Sequence, residues 1–359
     1  MSKQIVDDII KILSIDTSNH RNFDVVTSLL LKTFYYAHES IVLGNVDSRA
    51  LLIGLNCNLV NLDNAIVFSG HIDTVPDDGL QIIYDGKRIF GRGTSDMKSF
   101  FLCLNDALTK VLSNVRFPII LAISFDEEIA TKSINLILDY FHKYNIKAKY
   151  CIVGEPTSLN CSLSHRGCYD YKLELTANSM HSGISTKDNP IIKCSEFISK
   201  LQELNLESGV SLAINKITGG TALNCTPSKC TLYYEIRTDS ITKLYSLKKS
   251  VAQILCDYSN FTLQELDTFI PPFDNRKSKI VDTVLKLNTL PKMKVCQFEA
   301  ASEASFFMNE GIDTIIFGPG NLECAHSRQE YIDLYAIEAY SEAMQELLIN
   351  LNELFTTST

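Results

Sequence analysis

Ala65-Ile66-Val67-Phe68-Ser69-Gly70-His71-Ile72-Asp73 joins a short apolar run to a turn that carries an imidazole and a carboxylate. The run is too short for a helix and is continuous rather than alternating, which marks a strand buried on both faces. The same grammar recurs down the chain. Residues 118–123 lead into Asp126-Glu127-Glu128, and residues 150–153 lead into Gly154-Glu155-Pro156. Between the first two runs lies Lys98–Val111, where Phe101, Leu104, Leu108 and Val111 fall on one helical face. Buried strands alternating with helices predict an α/β domain, a mixed and mostly parallel sheet flanked by helices. Ligands bind such sheets at the carboxyl ends of the strands, where His71, Glu127, Glu128 and Glu155 stand.

The rhythm changes near residue 167. Tyr169, Tyr171, Leu173 and Leu175 alternate with other residues, as a half-exposed antiparallel strand does. A helix (191–204), strands near 211–217 and 229–237, a second helix (241–256) and a last strand (261–267) follow. Strand-helix-strand-strand-helix-strand is the order of a small ferredoxin-like α+β sandwich. After Pro271-Pro272, residues 313–317 resume the buried-strand pattern with Gly318-Pro319-Gly320 behind them. The expected organisation is a domain built from residues 1–166 and 269–359, with residues 167–268 inserted.

A length of 359 residues suits two domains, and 45% apolar with 21% charged residues is ordinary for a soluble protein. The net charge of −9 argues against a nucleic-acid partner, which needs clustered cations. Eleven cysteines, odd in number and without a Cys-x-x-Cys pair, read as reduced thiols of a cytoplasmic protein. Ile5, Ile9, Ile10 and Leu13 at helical spacing around Asp7 and Asp8 are neither a secretion signal nor a membrane span.

Taken singly, a His-x-Asp turn or a Glu-Glu pair is more often a solvated loop. Their coincidence at the ends of several strands points to a metal site. Two ions about 3.5–4 Å apart need a bridging carboxylate and further ligands for each. The inventory assigns His71 and Glu155 to one ion and Glu128 and His326 to the other, with Asp96 between them. Zinc suits these donors, with cobalt or manganese as alternatives. Asp73, two residues from His71, is expected to accept the other ring N–H and fix the tautomer. Glu127 is left to act as the general base.

Gly70-His71-Ile72-Asp73-Thr74-Val75-Pro76, Gly91-Arg92-Gly93-Thr94-Ser95-Asp96-Met97-Lys98, Asp126-Glu127-Glu128 and Gly154-Glu155-Pro156-Thr157-Ser158 together resemble the family of acetylornithine deacetylase, succinyl-diaminopimelate desuccinylase and zinc carboxypeptidases. The motifs occur in order over nearly the whole chain. The resemblance implies the two-domain fold, the two-metal roles and a homodimer formed through the inserted domain. Ala301-Ser302-Glu303-Ala304-Ser305-Phe306, and Gly318-Pro319-Gly320 through His326 to Glu330-Tyr331, look most like the acetylornithine deacetylase branch. That branch implies hydrolysis of N-acetyl-L-ornithine to L-ornithine and acetate in arginine biosynthesis. N-acetyl-L-citrulline, succinyl-diaminopimelate and dipeptides are the alternatives within the same family. By the same resemblance, His181 reaches the partner subunit's active site to stabilise an oxyanion, and Asn224 touches oxyanion or substrate. Arg237, at the end of an alternating strand, is expected to grip the substrate α-carboxylate with two N–H groups. Backbone N–H groups of Gly318 and Gly320 are expected to help it, and Glu303 is the candidate partner of a side-chain ammonium. Ser99 stands where the family has glycine, Ser302 where it has threonine, and the chain has no tryptophan. These departures surround the pocket rather than the ligands.

Overall fold

The computed structural model describes residues 3–45, 48–76, 79–184 and 188–356. It divides into two compact units, Met1–His165 with Phe273–Thr359, and Arg166–Pro272.

The first unit is built on a nine-stranded sheet. Its centre consists of Ile119–Ser124, Leu62–His71, Ile146–Val153 and Asp313–Ile316, side by side and parallel. The flanks are antiparallel. On one side lies the hairpin of Glu39–Gly44 and Arg49–Leu55, which the sequence pattern did not suggest. On the other lie Cys161–His165 and Phe273–Asp274, with Val295–Phe298 running parallel to Cys161–His165. Ile119–Ser124 is buried at every position because helices cover both faces. Lys3–Leu13, Phe23–Thr33, Lys98–Val111 and Leu334–Thr356 pack one face against Ile66, Phe68, Leu121 and Ile123. Lys132–Lys143 and Ala304–Asn309 pack the other against Ala65, Val67, Ile120 and Ala122. Each such Val, Ile, Leu or Phe side chain contributes about 1.5–3 kcal/mol by leaving water, so the strand ends rise from a firmly packed base. Lys98–Val111 is apolar on more than one face, since it lies between the sheet and the last helix. Phe100 and Tyr340 meet there with ring centroids 6.0 Å apart.

The second unit is a four-stranded antiparallel sheet in the order Val210–Gly219, Lys229–Thr238, Gly167–Thr176, Phe261–Ile270. Helices Pro190–Gln202 and Ile241–Leu255 cover one face around Tyr169, Tyr171, Leu173 and Leu175. The last strand continues to Ile270 beyond the expected end at 267, with a register shift between Glu265 and Phe269. The unit accordingly closes at Pro272 rather than at 268. Among the described residues, no helix is long and apolar enough to cross a membrane.

Candidate metal centre

His71 ends the strand Leu62–His71 and is almost fully buried. Its Nδ1 lies 2.9 Å from the backbone carbonyl of Asp73, an acceptor, so Nδ1 carries a hydrogen and Nε2 is the nitrogen open to a metal ion that displaces its proton. The Asp73 carboxylate, expected in that role, is 3.6 Å from Nδ1. It accepts instead from the backbone N–H groups of Glu127 (3.3 Å) and Glu128 (3.1 Å). The carbonyl of Asp73 orients the imidazole and its carboxylate shapes the Glu127-Glu128 turn.

His71 Nε2 lies 3.0 Å from Asp96 Oδ1. On the far side of the same carboxylate, Oδ2 is 3.3 Å from His326 Nε2, and that nitrogen is 3.0 Å from Glu128 Oε1. His71, Asp96 and Glu155 thus bring one donor atom each within 4.8 Å of one another, and so do Asp96, Glu128 and His326. Asp96 belongs to both trios. Glu127 belongs to neither, its Oε2 standing 4.0 Å from His71 Nε2. His326 adopts a left-handed backbone (φ 58) and leaves half its side chain exposed, whereas His71 and Glu155 are enclosed.

The charges are unbalanced. Burial drives the carboxyls of Glu127 and Glu155 well above their usual range, and neighbouring carboxylates add to the effect. Burial would lower His71, but the adjoining Asp73 and Asp96 carry it well above its ordinary value. Hydrogen bonding to Asp96 and Glu128 takes His326 up to about 10. Burial would raise Asp96, yet the two imidazoles hold it below the carboxylate range. A knot of buried acids that keep protons to offset their mutual repulsion is a site suited to cations. Two nitrogens and several carboxylate oxygens suit divalent zinc, cobalt or manganese.

Other residues singled out from the sequence have different surroundings. Gly318 N–H donates to the Thr157 hydroxyl at 3.0 Å and is not left for a substrate carboxylate. A Cβ on Gly318 would stand 2.2 Å from the carbonyl oxygen of Gly154, and one on Gly320 would stand 2.1 Å from that of Ser95. These glycines let three ligand-bearing turns approach closely. Arg237 is paired with its neighbour Glu235, through Nε at 2.7 Å and Nη2 at 3.1 Å. Glu303 is enclosed rather than set on an open pocket wall, and neither of its oxygens has a hydrogen-bond partner. Burial pushes its carboxyl up to about 7. In the second unit His181 and Asn224 are both exposed on adjoining segments, where Ser182 N–H donates to the Asn224 carbonyl at 2.9 Å.

Two residues of the centre escaped sequence reasoning. Glu330 was legible only as part of a Glu-Tyr pair, and Arg92 only as a member of the Gly91–Lys98 motif. They form a buried ion pair of 2.6 Å directly behind Asp96.

Residues 67–350 match the model of peptidase family M20/M25/M40. An acetylornithine deacetylase of Buchnera aphidicola subsp. Schizaphis graminum is 25% identical over 383 residues, covering 97% of each chain. A tripeptidase of Staphylococcus aureus superposes with a TM-score of 0.79 at 14% identity, covering 97% of both chains. A dinuclear metal-binding peptidase of the M20 family from Bacillus subtilis gives a TM-score of 0.69 at 12% identity over 98% of each. The family model spans most of the sequence and takes in all five donors of the two trios, so this chain belongs to peptidase family M20/M25/M40 and is a metallohydrolase acting on amide bonds.

Proposed function

We propose that this chain removes the acetyl group of N-acetyl-L-ornithine, giving L-ornithine and acetate, as a cytoplasmic homodimer joined through the inserted unit. The observation that carries the reading is the pair of donor trios sharing Asp96, with Glu127 beside them and outside both. Full-length similarity to acetylornithine deacetylase supports the substrate. Eleven free cysteines suit a reducing compartment.

Two divalent ions, zinc by the character of the donors, would supply a polarised amide carbonyl and a water acidified towards neutrality. Glu127 takes the proton of the attacking water as its oxygen bonds to the acyl carbon. Burial, which raises its proton affinity, lets Glu127 hold that proton until the C–N bond breaks. The proton then passes to the departing amine nitrogen. His181 of the second subunit would donate a ring N–H to the carbonyl oxygen as it gains charge, with Asn224 on the adjoining segment assisting.

The deciding experiment is hydrolysis of N-acetyl-L-ornithine by metal-loaded protein, with N-acetyl-L-citrulline and N-succinyl-diaminopimelate alongside. A preference for the first supports the reading. A preference for either of the others keeps the chemistry and replaces the substrate.

A further inference from the structure

The turn that carries Asp96 is held from behind by a single carboxylate. Glu330 is fully enclosed, and its Oε1 accepts the backbone N–H groups of Gly93 (2.9 Å), Ser95 (3.0 Å) and Asp96 (3.2 Å). Its Oε2 takes Arg92 Nη1 at 2.6 Å, and Arg92 Nη2 reaches the backbone carbonyl of His326 at 3.5 Å. The main chain reinforces the link. Arg88–Phe90 pairs with Tyr331–Asp333, and Gly91 N–H donates to the Glu330 carbonyl. Asp96 and His326, distant in sequence, are therefore tied to one ion pair. The other ligands are anchored elsewhere. His71 sits on a strand end oriented by Asp73. The Glu155 turn is fastened to Gly318–Gly320, through Ser158 N–H to the Gly320 carbonyl and Leu159 N–H to the Gly318 carbonyl.

We propose that the Arg92–Glu330 pair is a positioning device that sets the affinity of the outer trio, Asp96, Glu128 and His326, for its ion. The inner trio shares Asp96 but takes His71 and Glu155 from turns anchored elsewhere, so it should keep its ion when the charge of the pair is lost and the Asp96 turn still has an oxygen acceptor. The inference rests on reading the two trios as a two-ion site. His326 is the ligand most in need of such help, being half exposed and held in a left-handed backbone that a released loop would leave. Glu330→Gln retains the shape of the side chain and an oxygen for the three N–H groups. It removes the charge that fixes Arg92, and with it the hold on the His326 carbonyl.

The test uses the full chain stripped of metal and titrated calorimetrically with Zn²⁺, and in parallel with Co²⁺ read by visible absorption. The wild-type chain should take up two ions. In Glu330→Gln the first should bind as in wild type and the second about 10–100-fold more weakly, the usual range for changes behind the ligands. The Co²⁺ spectrum should be unchanged at one equivalent and altered at two, and excess metal should restore kcat. If both ions weaken alike, or neither does, the inference is overturned, because a merely structural role would lower the melting temperature and weaken both sites together. If Glu330→Gln does not fold, Arg92→Lys decides. It keeps a cation beside Glu330 but loses the reach to His326, so it should weaken the second ion alone, and unchanged binding overturns the inference. A wild-type chain that takes up fewer than two ions refutes the two-ion reading itself, and this inference with it.

Discussion

Stripping the metal should make the stability of this chain fall as pH rises, because the empty site keeps protons where ions would sit. A carboxyl whose proton affinity is raised by folding contributes fully below its unfolded value and loses that contribution as pH climbs through its folded one. Glu303 moves from 4.5 to about 7. At about 1.4 kcal/mol per pH unit, this enclosed side chain alone accounts for about 3 kcal/mol lost between pH 4.5 and 7. Glu127 and Glu155 move the same way, and His71 and His326 also keep their protons better when folded. Asp96, held low, acts in the opposite sense, but only below its usual 3.8. For a unit of about 250 residues, 3 kcal/mol corresponds to roughly 6–12 °C in melting temperature. Chelator-dialysed and metal-reloaded protein would be melted by calorimetry at pH 5, 6, 7 and 8. The stripped curve should fall by at least that amount, and its distance from the loaded curve should widen with pH as metal displaces protons. Glu303→Gln should flatten the stripped curve. A stripped melting temperature that is level or rises over this range, or two curves that run parallel, would refute the reasoning.

Glu127→Gln should leave the metal content intact and lower kcat by at least about 10²-fold, the usual size of general-base catalysis; near-normal turnover removes Glu127 from that role. Asp96→Ala takes a ligand from both trios, so elemental analysis should find stable two-metal binding lost. Gly318→Ala drives a methyl group into the Gly154 and Glu155 carbonyls, and a denaturant melt should show a cost of about 1–3 kcal/mol. His181→Ala mixed with Glu127→Gln should regain activity through hybrid dimers, and no recovery despite subunit exchange argues against a shared site.

The sheet and its ligand-bearing strand ends were legible because a strand buried on both faces must be apolar throughout, and the polar residues that break the run are conspicuous. Lys98–Val111 has the bounds that its apolar spacing indicates. What stayed hidden depends on which atoms meet across long stretches of chain. Glu330 binds a turn more than 230 positions away, and its place in a Glu-Tyr pair gives no sign of that partner. Gly318 and Gly320 read equally well as N–H donors or as points of close approach, and only the packed turns decide for the second. Asp73 offers both a carbonyl and a carboxylate within reach of His71, and spacing cannot choose between them. Arg237 has an acid two residues before it on the same strand face, a signal present in the sequence that should have weighed against a free guanidinium.

The strand Asp313–Ile316 does not extend the sheet at its edge; it is threaded between Ile146–Val153 and Cys161–His165, two strands that precede the inserted unit. More than a hundred residues of sequence separate Cys161–His165 from Asp313–Ile316, so this part of the sheet cannot be completed until the chain has passed through the inserted unit. The turn bearing His326 follows Asp313–Ile316 directly, so the step that closes the sheet also delivers the last ligand. A chain that stops before residue 313 therefore has neither a finished sheet nor a complete outer trio, His326 being the last of the donors in sequence.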